Sequence, residues 1–186
     1  MYLLINGAFG IGKTTVARLL KAATTGAAIH DPERAGFILR RLPAWVIGEP
    51  RQPDDYQNLA IWRRMAVSGA RRAHRRAGPV IMPMAFSDPR WFGEVVGGLA
   101  ADAPVRVFCL TAPLVVVRER IERRAAAERW ADTDWVLRRA EECCAAHAEG
   151  AFGELVDATP SPEAIVADLQ ARLTLGTACN PASLVL

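Results

Sequence analysis

The segment Gly7-Ala8-Phe9-Gly10-Ile11-Gly12-Lys13-Thr14 reads G-x-x-x-x-G-K-T, with the apolar run Tyr2-Leu3-Leu4-Ile5-Asn6 before it and the helical run Thr15-Val16-Ala17-Arg18-Leu19-Leu20 after it. A strand, a glycine loop and a helix in that order form a phosphate-binding loop. Glycines let backbone amides close around phosphate oxygens, and the helix start adds the positive end of its dipole. Lys13 is placed to reach the β- and γ-phosphates, the Thr14 hydroxyl to ligate magnesium, and Thr15 to join them in the first helical turn. Lys13 and Lys21 are the only lysines in a chain that otherwise takes its positive charge from arginine.

Periodicity and breakers beyond this loop predict alternating strands and helices. Strands are expected at 2–6, 27–30, 80–84, 105–110 and 154–156. Helices are expected at 13–23, 33–42, from Asp54 or Asp55 to Ala77, and at 89–101, 113–127, 135–149 and 162–173. Strands separated by helices pair in parallel through right-handed crossovers. The expected fold is a three-layer α/β/α sandwich on a five-stranded parallel sheet. Residues 1–173 would form one domain, with 174–186 a loosely attached tail.

The 186 residues, 51% of them hydrophobic and 23% charged, suit a globular protein, and a net charge of +3 fits anionic ligands without demanding nucleic acid. The chain shows no secretory signal and no apolar run of membrane-spanning length, so a cytoplasmic protein is expected. Cys109, Cys143, Cys144 and Cys179 lack C-x-x-C spacing and read as reduced thiols.

In parallel α/β sheets ligands sit beyond the carboxyl ends of the strands. Asp31, after strand two, either accepts the proton of an attacking hydroxyl, organises magnesium, or caps the next helix. Strand three ends in Met82-Pro83-Met84 with no carboxylate, which disfavours a mechanical ATPase; Asp88 reads as a helix cap. Arg40, Tyr56, Trp62, Arg63 and Met84 are candidates for the wall of an acceptor site. Arg120 and Arg123, interleaved with glutamates, read on spacing alone as a solvated helix face. The arginine pairs of the long middle helix read the same way, and no nucleic-acid partner is expected.

The run I-N-G-A-F-G-x-G-K-T, the segment Asp31-Pro32-Glu33-Arg34-Ala35-Gly36-Phe37 and the later Pro89-Arg90-Trp91-Phe92 resemble the tunicamycin-resistance ATP-binding proteins, within the P-loop small-molecule kinases. The resemblance implies that Arg120-Ile121-Glu122-Arg123 sets one arginine against adenine and one toward the phosphates. It also implies that Asp157, Ala158 and Thr159 border the base, that Arg138 adds a phosphate contact, and that residues 125–134 form a short lid that closes locally. ATP and magnesium are the implied cofactors and a small hydroxylated molecule such as tunicamycin the implied acceptor, either phosphorylated or only sequestered. The short apolar tail gives no reason to expect membrane association.

Overall fold

The computed structural model describes residues 1–39, 41–46 and 55–175. Five strands, β1 (Tyr2–Gly7), β2 (Ala28–Ile29), β3 (Val80–Met84), β4 (Val105–Thr111) and β5 (Glu154–Asp157), form one sheet in the order β2-β3-β1-β4-β5. Every pairing is parallel, with Tyr2 opposite both Val80 and Val105. Seven α-helices connect or follow them: α1 (Lys13–Ala22), α2 (Glu33–Leu39), α3 (Ala60–Ala77), α4 (Pro89–Ala100), α5 (Leu114–Glu128), α6 (Asp134–Ala148) and α7 (Pro162–Leu175). This is the three-layer sandwich that the alternation of elements predicts, in the P-loop nucleotide-kinase-like form that the resemblance implies.

The period-two alternation of the strands divides the core between the two faces of the sheet. Leu3, Ile5, Ile81, Phe108 and Leu110 point to one side, where Val16 and Leu20 of α1, Ile121 of α5 and Leu169 of α7 cover them. Tyr2, Leu4, Val80, Met82, Met84 and Cys109 point to the other, against Trp62 and Ala70 of α3 and Val95 and Leu99 of α4. Pro83 sits inside β3 without breaking a ladder bond. The Ile81 carbonyl, on the same side, takes the last bond from β2 through the His30 amide, and β2 has ended by the level of Pro83. Burial pushes the Cys109 thiol up to about 12 and the Cys143 thiol to about 11, so both stay protonated and inert near neutral pH. Cys179 and Arg40 lie outside the described residues.

Three boundaries differ from expectation by more than one residue. The middle helix starts at Ala60 rather than at Asp54 or Asp55: Asp55 accepts a hydrogen bond from the Gln57 amide at 2.9 Å and caps a separate 3₁₀ turn, Tyr56–Asn58, after which Leu59 is extended. Helix α2 ends at Leu39 rather than Leu42, its last amides falling into i to i−3 bonds ahead of Pro43. Helix α7 runs on to Leu175, so the first two residues of the expected tail are helical and the rest lies outside the described residues. Among the described residues no helix is long and apolar enough to cross a membrane.

Candidate active site

The phosphate-binding loop is shaped by what its glycines must avoid. Gly10 has φ +77°, and a Cβ there would stand 2.5 Å from Ile121 Cγ1 of α5. Gly12, with φ 104°, is the N-cap of α1 and leaves the first helical amides without a side-chain cap. That is a cradle for phosphate oxygens, with the helix dipole behind it. Thr14 and Thr15 are exposed in the first turn, where a hydroxyl can meet a metal bound to those oxygens.

Lys13 is 8% exposed, and its Nζ donates to the Ala8 carbonyl at 2.9 Å across the loop. Burial lowers its pKa, and the nearby Glu33 and Asp31 carboxylates pull it back. Glu33 is raised by burial, opposed by Lys13 and reinforced by Asp31 and Asp55. Its Oε1 is buried with no hydrogen-bond partner, a costly arrangement that an incoming donor or metal-bound water would relieve. Asp31 does cap α2, its Oδ1 accepting from the Glu33 amide at 3.0 Å, which leaves Oδ2 available. Two carboxylates therefore face the loop lysine where one was expected. Glu33 was readable only as a first-turn residue of α2; its signal was position, two residues past Asp31 and across Pro32.

These residues fit a nucleoside triphosphate and its magnesium. Among the described residues no group of three or more His, Cys, Asp or Glu side chains could hold a metal alone. Magnesium at a phosphate site needs only one or two protein ligands, and Thr14 and Asp31 carry the oxygens that could fill that part.

Arg120 ties the loop after β5 to the phosphate loop. Its guanidinium donates to the carbonyls of Ile11 at 3.2 Å, Ala158 at 2.8 Å and Thr159 at 3.4 Å. Asp157 stiffens the same turn by accepting from the Thr159 amide and hydroxyl, both at 2.8 Å. Arg123, one turn further along α5, is exposed. Arg120→Ala is expected to weaken nucleotide binding about tenfold or more, because charged hydrogen bonds hold the base-side loop. Calorimetric titration with ATP checks this; an unchanged Kd would reduce Arg120 to a surface strut.

The predicted acceptor wall is inside the protein. Tyr56 and Trp62 are each 2% exposed and Met84 1%, with Trp62 Nε1 donating to the Pro32 carbonyl at 2.9 Å. Gly36 of α2 lies so close to Tyr56 that a Cβ would come within 2.6 Å of the ring. Arg63 is a joint. It donates to Glu94 at 2.7 Å and to the Gln57 carbonyl at 2.8 Å, and stacks 3.8 Å from the centre of the Trp91 ring. The open space begins just past Met84, in a cleft of about 470 Å³ lined by Asp55, Gln57, Ser87, Asp88, Trp91 and Arg139, among others. Arg139, on α6, pairs with Asp55 at 2.6 Å and reaches Ser87 Oγ at 3.2 Å, whereas its neighbour Arg138 is exposed.

Asn6 anchors the segment after β3 that leads into this cleft. Its Oδ1 accepts from the Phe86 amide at 2.8 Å, and its Nδ2 and the Nε2 of His147 converge on the Phe86 carbonyl at 3.2 and 2.7 Å. Burial lowers the His147 pKa, with the Phe86 bond opposing. Below pH 6.5 the unfolded chain therefore binds a proton that the folded chain refuses, so stability is full above that pH and declines beneath it. We expect the unfolding free energy to fall between pH 7.5 and 5.5, by at most about 1.4 kcal/mol per pH unit from this group. His147→Gln should flatten the slope in urea titrations; an unchanged slope would assign the acid sensitivity elsewhere.

The AAA domain family matches residues 3–149. No curated protein matches the chain. Among solved structures, the Deinococcus radiodurans tunicamycin resistance protein is similar at 26% identity and TM-score 0.69, over 93% of this chain and 95% of that one. A gluconokinase from Sinorhizobium meliloti 1021 is similar at 16% identity and TM-score 0.63, over 95% and 97% of the two chains. A shikimate kinase from Aquifex aeolicus vf5 gives 16% identity and TM-score 0.58, over 97% and 100%.

Proposed function

The chain belongs to the AAA domain family, and from that premise and its site we propose an ATP- and magnesium-dependent phosphotransferase acting on a small hydroxylated molecule. The observation that carries the reading is the closeness of loop and cleft: Asn6, next to Gly7 of the phosphate loop, accepts from the Phe86 amide at 2.8 Å, and Ser87, next to Phe86, lines the cleft of about 470 Å³. A nucleotide site beside a cleft sized for a sugar or nucleoside is what phosphoryl transfer requires. The likeness to a tunicamycin resistance protein favours a nucleoside-like antibiotic as the acceptor.

ATP with magnesium, when bound, would supply the transferable phosphoryl group and a divalent charge to offset that of its phosphates. The loop amides and Lys13 hold the phosphates and offset charge as it shifts toward the leaving oxygen. Thr14 and Asp31 would hold the metal. Asp31, with Glu33 beside it, is placed to take the proton from the acceptor hydroxyl, while the cleft sets that hydroxyl in line. Arg120 holds the base-side loop of 157–159, and Arg123 is free to swing toward the phosphates. The connection between α5 and α6 would serve as the lid, excluding water by a local motion.

Mass spectrometry after incubation with ATP, magnesium and a panel of tunicamycin, nucleosides, chloramphenicol and sugar acids tests this. Gain of one phosphoryl mass on one compound is the expected result. ATP-dependent retention of tunicamycin with no product would replace transfer by sequestration.

A further inference from the structure

The cleft beyond β3 has an unusual charge arrangement for a site that must hold a polar ligand. Among the described residues two arginines line it, and each is paired with a carboxylate that also lines it. Arg139 is held by Asp55 at 2.6 Å, with side chains only 15% and 13% exposed, and by Glu142. Arg90, at the rim, is forked onto Asp88 at 3.1 and 2.7 Å. The rim pair is exposed and weak, but the inner pair is shielded from water and fixed by its neighbours. Asp55 Oδ1 is set by the Gln57 amide, and Arg139 also reaches Ser87.

We propose that Asp55 determines the acceptor class: by neutralising Arg139 inside the cleft, it reserves the site for neutral polyhydroxylated molecules and turns away those bearing a carboxylate. The inference rests on reading this cleft as the acceptor site. Among the described residues an acid entering here finds no unpaired cation on the inner wall and meets the Asp55 carboxylate, and like charges brought together out of water repel strongly. A neutral hydroxyl instead donates to a carboxylate oxygen that retains a lone pair, or to Ser87 Oγ, and disturbs no pairing. Specificity of this kind comes from the repulsive element as much as from attraction.

Matched ligands that differ by one carboxylate test it: glucose against glucuronate, and uridine against orotidine. Binding to the full chain is measured by calorimetry with magnesium and a non-hydrolysable ATP analogue, so the readout does not depend on transfer. In the wild-type protein the neutral member of at least one pair should bind about tenfold or more tightly than its acid partner. Asp55→Asn keeps an oxygen for the Gln57 amide but releases Arg139, and the preference should fall to about parity or reverse. Arg139→Gln should move it the other way, since Asp55 is then uncompensated. A merely structural role for the pair would weaken both ligands alike. Equal binding of the two members, tighter binding of the acids, no binding of any neutral member, or an unchanged ratio in Asp55→Asn would each overturn the proposal. A retained preference in a protein that transfers no phosphoryl group would instead remove only the phosphotransferase reading.

Discussion

Replacing Lys13 by alanine is expected to lower kcat about a thousandfold or more. The reason lies in its setting as well as in its charge. Lys13 is the cation buried among Glu33, Asp31 and the phosphate loop, and burial already works against its charged form. Without it, two carboxylates and the more distant Asp55 would face the phosphates with no lysine to offset them. Nucleotide binding should weaken together with turnover. Steady-state rates and calorimetric ATP titration on the same preparation check this; near-normal turnover in Lys13→Ala would mean that the loop is not the catalytic centre.

Asp31→Asn is expected to cost about 10²- to 10⁴-fold in kcat while ATP affinity stays within about tenfold of wild type. The substitution is well controlled, because an asparagine oxygen can still accept the Glu33 amide bond that caps α2. The fold of the helix start is kept and only the proton-accepting charge is lost. Glu33→Gln serves as the companion. If the transfer defect appears there and Asp31→Asn retains full activity, the proton acceptor is the buried glutamate, whose Oε1 has no partner. Losses in both would mean that the pair acts as a unit.

The phosphate loop and the layers around it were legible because their signals are local. Strand, glycines, lysine and helix follow one another without interruption, and alternating residues such as Leu3 and Leu4 separate cleanly to the two faces of the sheet. The acceptor side was not legible, because its parts come from distant segments. Nothing in the spacing of Asp55 and Arg139 announces that they meet at 2.6 Å. The start of α3 was misplaced because an aspartate that signals a helix cap here caps a separate turn. Tyr56, Trp62 and Met84 looked like a ligand wall because aromatic and sulfur side chains near a site suit either role. The i, i+4 spacing of Trp62, Ala66 and Ala70 was the available clue that this face of α3 turns inward. Arg120 shows the opposite case: interleaved glutamates suggested a solvated face, yet its guanidinium bonds three carbonyls of the nucleotide side.

The central claim is that the site transfers the γ-phosphoryl group of ATP and does not merely hold its ligands. The most direct measurement is a single-turnover reaction with γ-phosphate-labelled ATP, enzyme in excess, and the acceptor identified from the panel. The label should leave ATP and appear on the acceptor in step with ADP in the wild-type protein, and remain on ATP in Asp31→Asn. Label that stays on ATP in the wild-type protein while the acceptor is retained, or that passes only to inorganic phosphate, would contradict the account.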